Sequence, residues 1–188
     1  MRSKLHRALL AGIEALESVG LPYAVWVGWP CARGRGLARP KTSISMPSCQ
    51  TPRVPCWSAP LRERGFDVPA MADELERFGV FRSRSHDHVF LDIFPAVGPL
   101  GEAIVRRRRK AKIAGRTLWV IAPEDLAILK AFSDRPRDFL DLVTLLNRTK
   151  AQLDLGYVEQ WARTLDASIG TDEVSERIHK ALTSRGED

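Results

Sequence analysis

The chain changes character near residue 121, where short apolar segments of strand-like composition give way to helical periodicity. Before this point the pattern predicts helices over residues 3–18 and 98–107, the last turn of a helix over 61–65, and a short helix or turn over 69–78. It also predicts strands over 23–27, 66–68, 80–84 and 88–94, and a glycine-interrupted strand over 113–121. After this point, four helices are predicted, beginning near residues 122, 136, 155 and 172. Separate strand-rich and helical halves are typical of an α+β protein. We therefore predict a small mixed β-sheet flanked by helices in residues 1–121, and a helical region in residues 122–188.

The composition excludes a membrane protein and favours a cytoplasmic one. Of the 188 residues, 44% are hydrophobic and 28% are charged, which is ordinary for a globular domain. No apolar run approaches the roughly 20 residues of a membrane-spanning helix. The first twenty residues alternate charged and apolar groups, unlike a secretory signal. We expect no membrane partner.

Residues 29–60 show neither strand alternation nor helical periodicity. Prolines recur in this segment, at positions 30, 40, 47, 52, 55 and 60. The segment also holds five basic residues and no acidic one between residues 28 and 59, out of a net charge of +6 for the whole chain. Its cysteines, Cys31, Cys49 and Cys56, lack Cys-x-x-Cys spacing and a neighbouring histidine, so we expect neither a zinc site nor a disulfide. We expect an irregular structure here.

Two interpretations of this segment are open: a genuine Pro/Arg-rich insert, or translation in the wrong reading frame. If the last base of each codon is joined to the first two of the next, residues 41–46 (KTSISM) can encode alternating aspartate and hydrophobic residues. The same shift turns residues 28–35 into a glycine followed by Leu/Val-Ala-Val-Arg-Ala-Trp, and residues 50–58 into a mostly Ala/Leu/Val helical pattern. Because the shifted segment regains strand and helix patterns, we favour the frameshift.

With that shift, the order of motifs resembles the minimal nucleotidyltransferases, which include the AbiEii-like toxins. The resemblance covers roughly residues 5–165 and rests on YAVWVG at 23–28, a shifted Thr-Lys-Asp-x-Asp, LRERGFDV at 61–68, VFLDIFP at 89–95 and IAPEDLAILKAFSDRPRDFLDLVTLL at 121–146. It implies a nucleotidyltransferase-type fold and Mg²⁺-dependent transfer of a nucleotidyl group from an NTP to an RNA or protein acceptor. It also implies a toxin of a toxin–antitoxin pair, with a cognate antitoxin as partner.

The resemblance assigns roles to four residues. Gly28 would lie in a turn whose backbone N–H groups approach the nucleotide phosphates. Asp92 would be the third carboxylate of a metal site, serving catalysis by holding Mg²⁺ together with an acidic pair on a neighbouring strand. Lys130 and Asp138 match positions that would contact the nucleotide.

The acidic pair itself is missing from this sequence. Ser43 and Ser45 stand near the positions where the resemblance places it. Serine hydroxyls are neutral, weak Mg²⁺ ligands, so Asp92 alone is not expected to hold two divalent ions. We therefore expect the chain with this sequence to lack transferase activity.

Several of these residues also have ordinary structural explanations. An aspartate between Leu91 and Ile93 on a buried strand could serve the fold alone, and Lys130 could be a solvated residue at a helix end. Around Asp138, a charge network at a helix N-terminus is an alternative to nucleotide binding; its members would be Arg135, Arg137, Asp138 and Asp141. Metal binding by His86, Asp87 and His88 is less expected than a simple exposed turn.

A run of basic residues offers a different function. Arg106, Arg107, Arg108, Arg109, Lys110 and Lys112 follow one another with only Ala111 between them. They could form a solvated helix end or bind the phosphates of a nucleic acid, since clustered cations attract polyanions. The run contains no aromatic residue, so base stacking has no support from it. The alternative function is therefore a non-catalytic nucleic-acid- or partner-binding protein, and a third is a purely structural domain.

Overall fold

The computed structural model of the protein describes residues 3–27, 41–47, 56–68, 81–96, 98–113, 115–149 and 152–184. Residues 41–47 are described by their backbone only. The chain divides into two compact units, Met1–Ile121 and Ala122–Asp188.

The first unit is built on a mixed seven-stranded sheet. Its strands are β1 (Ala24–Val27), β2 (Lys41–Pro47), β3 (Phe66–Asp67), β4 (Phe81–Ser85), β5 (Phe90–Ala96), β6 (Arg109–Ile113) and β7 (Arg116–Val120). Their order across the sheet is β3-β4-β5-β2-β1-β7-β6. Strand β2 pairs antiparallel with β1 and parallel with β5, and β7 pairs parallel with β1. The centre of the sheet is therefore formed by strands that are distant in sequence.

The described residues of this unit form three helices: α1 (Lys4–Glu17), α2 (Ser58–Glu63) and α3 (Gly98–Arg107). Ser3 caps α1, because its hydroxyl accepts a hydrogen bond from the His6 N–H at 3.3 Å. Helix α1 buries Leu9, Ile13 and Leu16. It approaches strand β5 closely at Gly12, where an added Cβ would lie 2.6 Å from a methyl carbon of Leu91.

The strand registers assign each residue to one of two faces of the sheet. Val25, Ile93 and Leu118 share one face through the pairing of β1, β2, β5 and β7, and all three are buried in the main core with α1. Trp26, Asp92 and Trp119 fall on the other face by the same alternation. The candidate metal ligand therefore lies on the face opposite the main core.

In the second unit, the part of the chain that the structure describes forms four helices: α4 (Pro123–Phe132), α5 (Pro136–Thr149), α6 (Leu155–Ile169) and α7 (Glu173–Thr183). Pro123 begins the first of them, where a missing N–H has no intrahelical partner to lose. Asp166 of α6 caps α7, accepting hydrogen bonds from the N–H groups of Val174 at 2.9 Å and Ser175 at 3.0 Å. The shared interior is made of small and branched apolar residues: Ala127, Ile128, Leu142, Leu146, Val158, Ala162, Ile178 and Ala181.

The predicted α+β class, with a small mixed sheet followed by helices, is confirmed. Helix α3 has the predicted bounds. Strand β5 begins two residues later than predicted. Because His88 adopts a φ of 59°, which extended backbone does not allow, strand β5 cannot begin there.

Two expectations about local structure are wrong. The segment expected to be irregular contains strand β2 at residues 41–47, because its backbone finds partners on both sides, and helix α2 begins inside it at Ser58. The glycine-interrupted strand is a hairpin of β6 and β7, since Gly115 turns the chain with a φ of +82°. The basic run spans two elements, since α3 ends at Arg107 and strand β6 begins at Arg109.

The short helix or turn predicted at residues 69–78 lies outside the described residues. Among the helices of the described ranges, none combines the length and the apolar character needed to cross a bilayer.

Gly101 lies where helix α3 packs closely against the end of strand β5. A Cβ at this position would lie 2.4 Å from the carbonyl carbon of Ala96, a backbone atom that cannot move aside cheaply. We expect Gly101→Ala to lower the free energy of unfolding by about 3 kcal/mol, as overpacking does. Glu102→Ala is the matched control, because Glu102 is exposed on the same helix and its loss should change stability by less than about 0.5 kcal/mol. Urea denaturation would measure both, and equal stabilities would contradict this account of the contact.

Candidate active site around Asp92

Asp92 lies at the centre of strand β5, between two strands that place different residues beside it. In the parallel pairing with β2, its register partner is Ser43. In the antiparallel pairing with β4, its partner is Arg82. Residues that are directly opposite in a sheet share a face, so positions 43, 82 and 92 form one row across three strands. The position expected for a second carboxylate is thus next to Asp92.

The carboxylate of Asp92 is held by Arg82. The Arg82 Nε donates to Oδ1 at 2.7 Å, and a terminal guanidinium nitrogen donates to Oδ2 at 2.8 Å. Asp92 is buried, with 6% of its side chain exposed, whereas Arg82 is 44% exposed. Such a two-pronged pair combines charge neutralisation with a fixed geometry. Arg82 therefore satisfies both oxygens of the one predicted metal ligand in the sheet.

Sequence reasoning missed Arg82. The signal was available in the alternating segment FRSRS at residues 81–85, which places a basic residue at every second position. Pairing it with Asp92 requires the register of the β4–β5 hairpin, and that register depends on the turn at residues 86–89.

The donor set does not fit the two Mg²⁺ ions that the family resemblance implies. Both oxygens of Asp92 bind a cationic side chain, and its neighbour in the register is a serine. Across the described ranges, no group of three or more His, Cys, Asp or Glu side chains is arranged to hold a metal ion. With Asp92 committed to Arg82, a divalent ion would have to compete with a guanidinium for a single carboxylate.

An aromatic pair lies on the same face as Asp92. The rings of Trp26 and Phe94 have their centroids 5.1 Å apart and are tilted by 38°. Their register partners on the intervening strand β2 are Ser43 and Ser45, respectively. The Arg82 guanidinium also lies 5.7 Å from the ring centroid of Phe90. This face of the sheet therefore combines aromatic surface with one neutralised ion pair.

The second unit brings Lys130 and Asp138 together, as part of a charge network. The Lys130 ammonium donates to Asp138 and, at 2.7 Å, to Asp141. Asp138 also accepts from the Ser133 hydroxyl at 2.7 Å and pairs with Arg135 at 2.6 Å. The network joins the end of α4 to the first turn of α5.

The network sets the protonation of Asp138. Burial by itself raises the pKa of this carboxyl, but hydrogen bonds from Lys130 and Ser133 and the charges of Lys130 and Arg135 outweigh it and lower the pKa below its ordinary value. Lys130 is thereby neutralised by two carboxylates. It would reach a nucleotide phosphate only by giving up at least one of them.

The remaining candidate residues lie elsewhere or are engaged. Gly28 lies outside the described residues, as do Cys31 and Cys49. In the predicted His–Asp–His turn, Asp87 pairs with Arg7 at 2.7 Å, and the hydrogen bond from Arg7 lowers the pKa of Asp87. The basic residues Arg106, Arg107, Arg108 and Arg109 span the end of α3 and the start of β6.

Comparisons with known proteins identify the fold. No protein-family model matches this chain, and no curated protein matches it significantly. Among solved structures, the chain is similar to the solution structure of the antibiotic-resistance factor ANT(2'')-Ia, with a TM-score of 0.56 and 14% sequence identity, over 90% of this chain and 97% of that one. It is also similar to the crystal structure of an antigenic nucleotidyltransferase-like protein from Paracoccidioides brasiliensis, with a TM-score of 0.44 and 14% identity, over 97% and 94% of the two chains. The chain therefore shares its fold with this antibiotic-resistance factor.

The lowered pKa of Asp138 predicts a pH-dependent contribution to stability. Because the folded state favours the ionised form, the contribution is present above the unfolded pKa of about 3.9 and is lost as the pH falls through the folded pKa. We expect Asp138→Asn to lower the free energy of unfolding by roughly 2 kcal/mol at pH 7. The difference from the unsubstituted protein should shrink steadily below about pH 4.

Urea unfolding of both proteins, followed by far-UV circular dichroism between pH 2.5 and 7, measures this difference. Asp134→Asn is the control, because Asp134 is exposed in the same connection between α4 and α5. A difference that stays constant over the whole pH range would show that the charge of Asp138 does not stabilise the fold.

Proposed function

We propose that this protein descends from nucleotidyltransferases that transfer a nucleotidyl group from an NTP to an RNA or protein acceptor, and that the chain with this sequence has lost the reaction. The register of β2 and β5 is the observation that carries the proposal. It puts Ser43 directly beside Asp92, in a fold shared with a nucleotidyltransferase. This register supports reading the row as what remains of a catalytic carboxylate cluster, in which Asp92 is retained and a serine stands at the adjacent position.

The loss follows from the chemistry of nucleotidyl transfer. The reaction needs the charge on the triphosphate to be neutralised and the attacking and leaving oxygens to be aligned, which paired carboxylates achieve by holding Mg²⁺. Here Asp92 binds Arg82 instead, and the adjacent position carries a neutral residue. Gly28, Lys130 and Asp138 remain proposed nucleotide contacts. For Lys130 this requires release from Asp138 or Asp141.

Within the nucleotidyltransferases, we assign the chain to the AbiEii-like group of minimal nucleotidyltransferases. The order of motifs over residues 23–146 supports this assignment. A role as the toxin of a toxin–antitoxin pair, and a cognate antitoxin as partner, come with the assignment and form part of the proposal.

Residues 29–60 are proposed to be an out-of-frame translation of the glycine turn and the acidic strand. The strand at residues 41–47 supports the proposal, because it lies where an Asp-x-Asp strand would adjoin Asp92. We expect the protein made from its native gene to yield peptides with alternating aspartates in place of KTSISMPSCQ at residues 41–50. Intact mass and a peptide map measure this. Peptides that match residues 41–50 of the present sequence would contradict the frameshift and leave a genuine insert.

A second candidate function is nucleic-acid binding through the basic run. A structural contact supports it: Arg108 and Lys110 both lie against the indole of Trp119, so the run has an aromatic neighbour that its own sequence does not show. This function requires no metal.

The loss of activity can be tested by restoring the carboxylates. We expect the unsubstituted chain to incorporate no label from any of the four α-³²P NTPs into total RNA or protein in the presence of Mg²⁺. The variant Ser43→Asp/Ser45→Asp should bind an NTP at least about tenfold more tightly with Mg²⁺ than with EDTA, since the added acids create a metal site beside Asp92. Calorimetry measures this binding without knowledge of the acceptor.

Ser43→Asn/Ser45→Asn is the matched control, because it makes the same change in size without adding charge. Adding Arg82→Gln to the aspartate variant should strengthen the Mg²⁺ effect further by freeing Asp92. Turnover by the unsubstituted chain that Asp92→Asn abolishes would contradict the proposed loss. A folded aspartate variant with no Mg²⁺-dependent binding would contradict the proposed location of the site.

A further inference from the structure

A dense patch of positive charge covers one end of the sheet. Residues 98–120, which comprise α3, β6 and β7, hold seven basic residues and a single acidic one, Glu102. Two of the arginines end α3, and β6 continues the run along the outermost strand of the sheet. We call the four residues Arg106, Arg108, Lys110 and Lys112 the edge patch.

In the part of the chain that the structure describes, none of the four members of the edge patch forms an ion pair with a carboxylate. By contrast, Arg7, Arg82 and Arg116 of the same unit each bind an aspartate or glutamate. Arg106, Lys110 and Lys112 are exposed, and Arg108 is half-buried. Positive charge of this kind is available to an outside anion.

Trp119 contacts two members of the edge patch through its ring. The Arg108 guanidinium carbon lies over its ring at 4.6 Å from the centroid, and the Lys110 ammonium lies at 5.0 Å. Lys110 is also the register partner of Trp119 in the β6–β7 hairpin, and Lys112 is the partner of Thr117. These contacts hold two cations beside one aromatic ring, and they put both lysines on one face of the hairpin.

We propose that the edge patch and Trp119 form a binding site for single-stranded nucleic acid. Lys110 and Lys112 contact successive phosphates, because residues two apart on a strand are about 6.6 Å apart and point the same way. Arg108, stacked on Trp119, offers a planar cation on which an unpaired base stacks. Arg106 extends the phosphate contacts toward α3. The proposal deepens the second candidate function and is independent of the nucleotidyl-transfer site.

The features of the patch favour this ligand over other anions. A membrane surface would require apolar side chains beside the cations, yet the exposed large apolar residues of the described ranges, Phe132, Leu140 and Ile169, all belong to the helical unit. A mononucleotide would engage only part of a site that runs from the end of α3 along β6. An acidic protein would use the charges but would gain nothing from the stacked arginine and tryptophan.

Binding of a fluorescein-labelled twelve-nucleotide oligouridine, followed by anisotropy between 50 and 300 mM salt in EDTA, tests the proposal. The test variant is Arg108→Gln/Lys110→Gln. Its matched control is Arg177→Gln/Lys180→Gln, because these two cations lie 5.7 and 5.4 Å from the ring of Phe139 on the helical unit. Both variants lose two charges and two cation–aromatic contacts, so only the position differs.

We expect the test variant to bind at least about tenfold more weakly at 50 mM salt. The slope of log affinity against log salt should fall by about 0.7, because the variant loses the phosphate contact of Lys110 while Arg108 is assigned to an unpaired base. The control should keep the slope and the affinity within about twofold. The single variant Lys112→Gln changes an exposed residue and should reduce the slope by about 0.7. It tests the proposal even if the double variant folds poorly.

Two results would overturn the proposal. One is equal affinity and salt slope in the test variant, Lys112→Gln and the control. The other concerns competition with the labelled oligouridine. If polyglutamate displaced it at the same concentration of negative charges as unlabelled oligouridine does, the patch would be a surface for acidic proteins. Because EDTA is present and no NTP is added, failure here leaves the transferase result unaffected, and the converse holds too.

Discussion

The first unit depends on the backbone pairing of strand β2. On one side β5 brings β4 and β3, and on the other β1 brings β7 and β6, so β2 alone joins the two halves of the sheet. Ladder hydrogen bonds use main-chain groups, which almost any sequence can supply. A segment whose side chains carry no strand pattern can therefore occupy the centre of the sheet. The same pairing determines the site, because the position of β2 decides what stands next to Asp92.

The site shows how a carboxylate that lacks its partners is accommodated. A buried, unpaired charge is costly, and a metal ion or a cationic side chain can neutralise it. Arg82 on the neighbouring strand β4 provides the cationic side chain, and two nitrogens of its guanidinium donate to the two oxygens of Asp92. The resulting pair is compatible with the fold and incompatible with strong metal binding. Catalysis would require Asp92 to bind a metal ion, whereas stability requires its buried charge to be neutralised. Arg82 satisfies the requirement of stability.

Sequence patterns predicted the elements whose signals are local. Helix α3 has the predicted bounds, and the start of α4 follows from Pro123 and the acids after it. Features that depend on register could not be predicted in this way. The Arg82–Asp92 pair joins residues ten apart across a turn, and the contacts of Trp119 with Arg108 and Lys110 require knowing that residues 109–120 form a hairpin. The strand at residues 41–47 was hidden for a further reason: its pairing partners are close in space and distant along the chain.

The lysines of β6 also matter for solubility. An outermost strand presents unpaired main-chain groups that a strand from another molecule can join, and such joining is a route to aggregation. Charged residues on that strand, lysine above all, oppose it, because bringing two copies together would place like charges side by side. Lys110 and Lys112 lie on this last strand of the sheet. By the same reasoning, a polyanion that neutralised them would remove this protection, and sheets of separate molecules could then associate edge to edge.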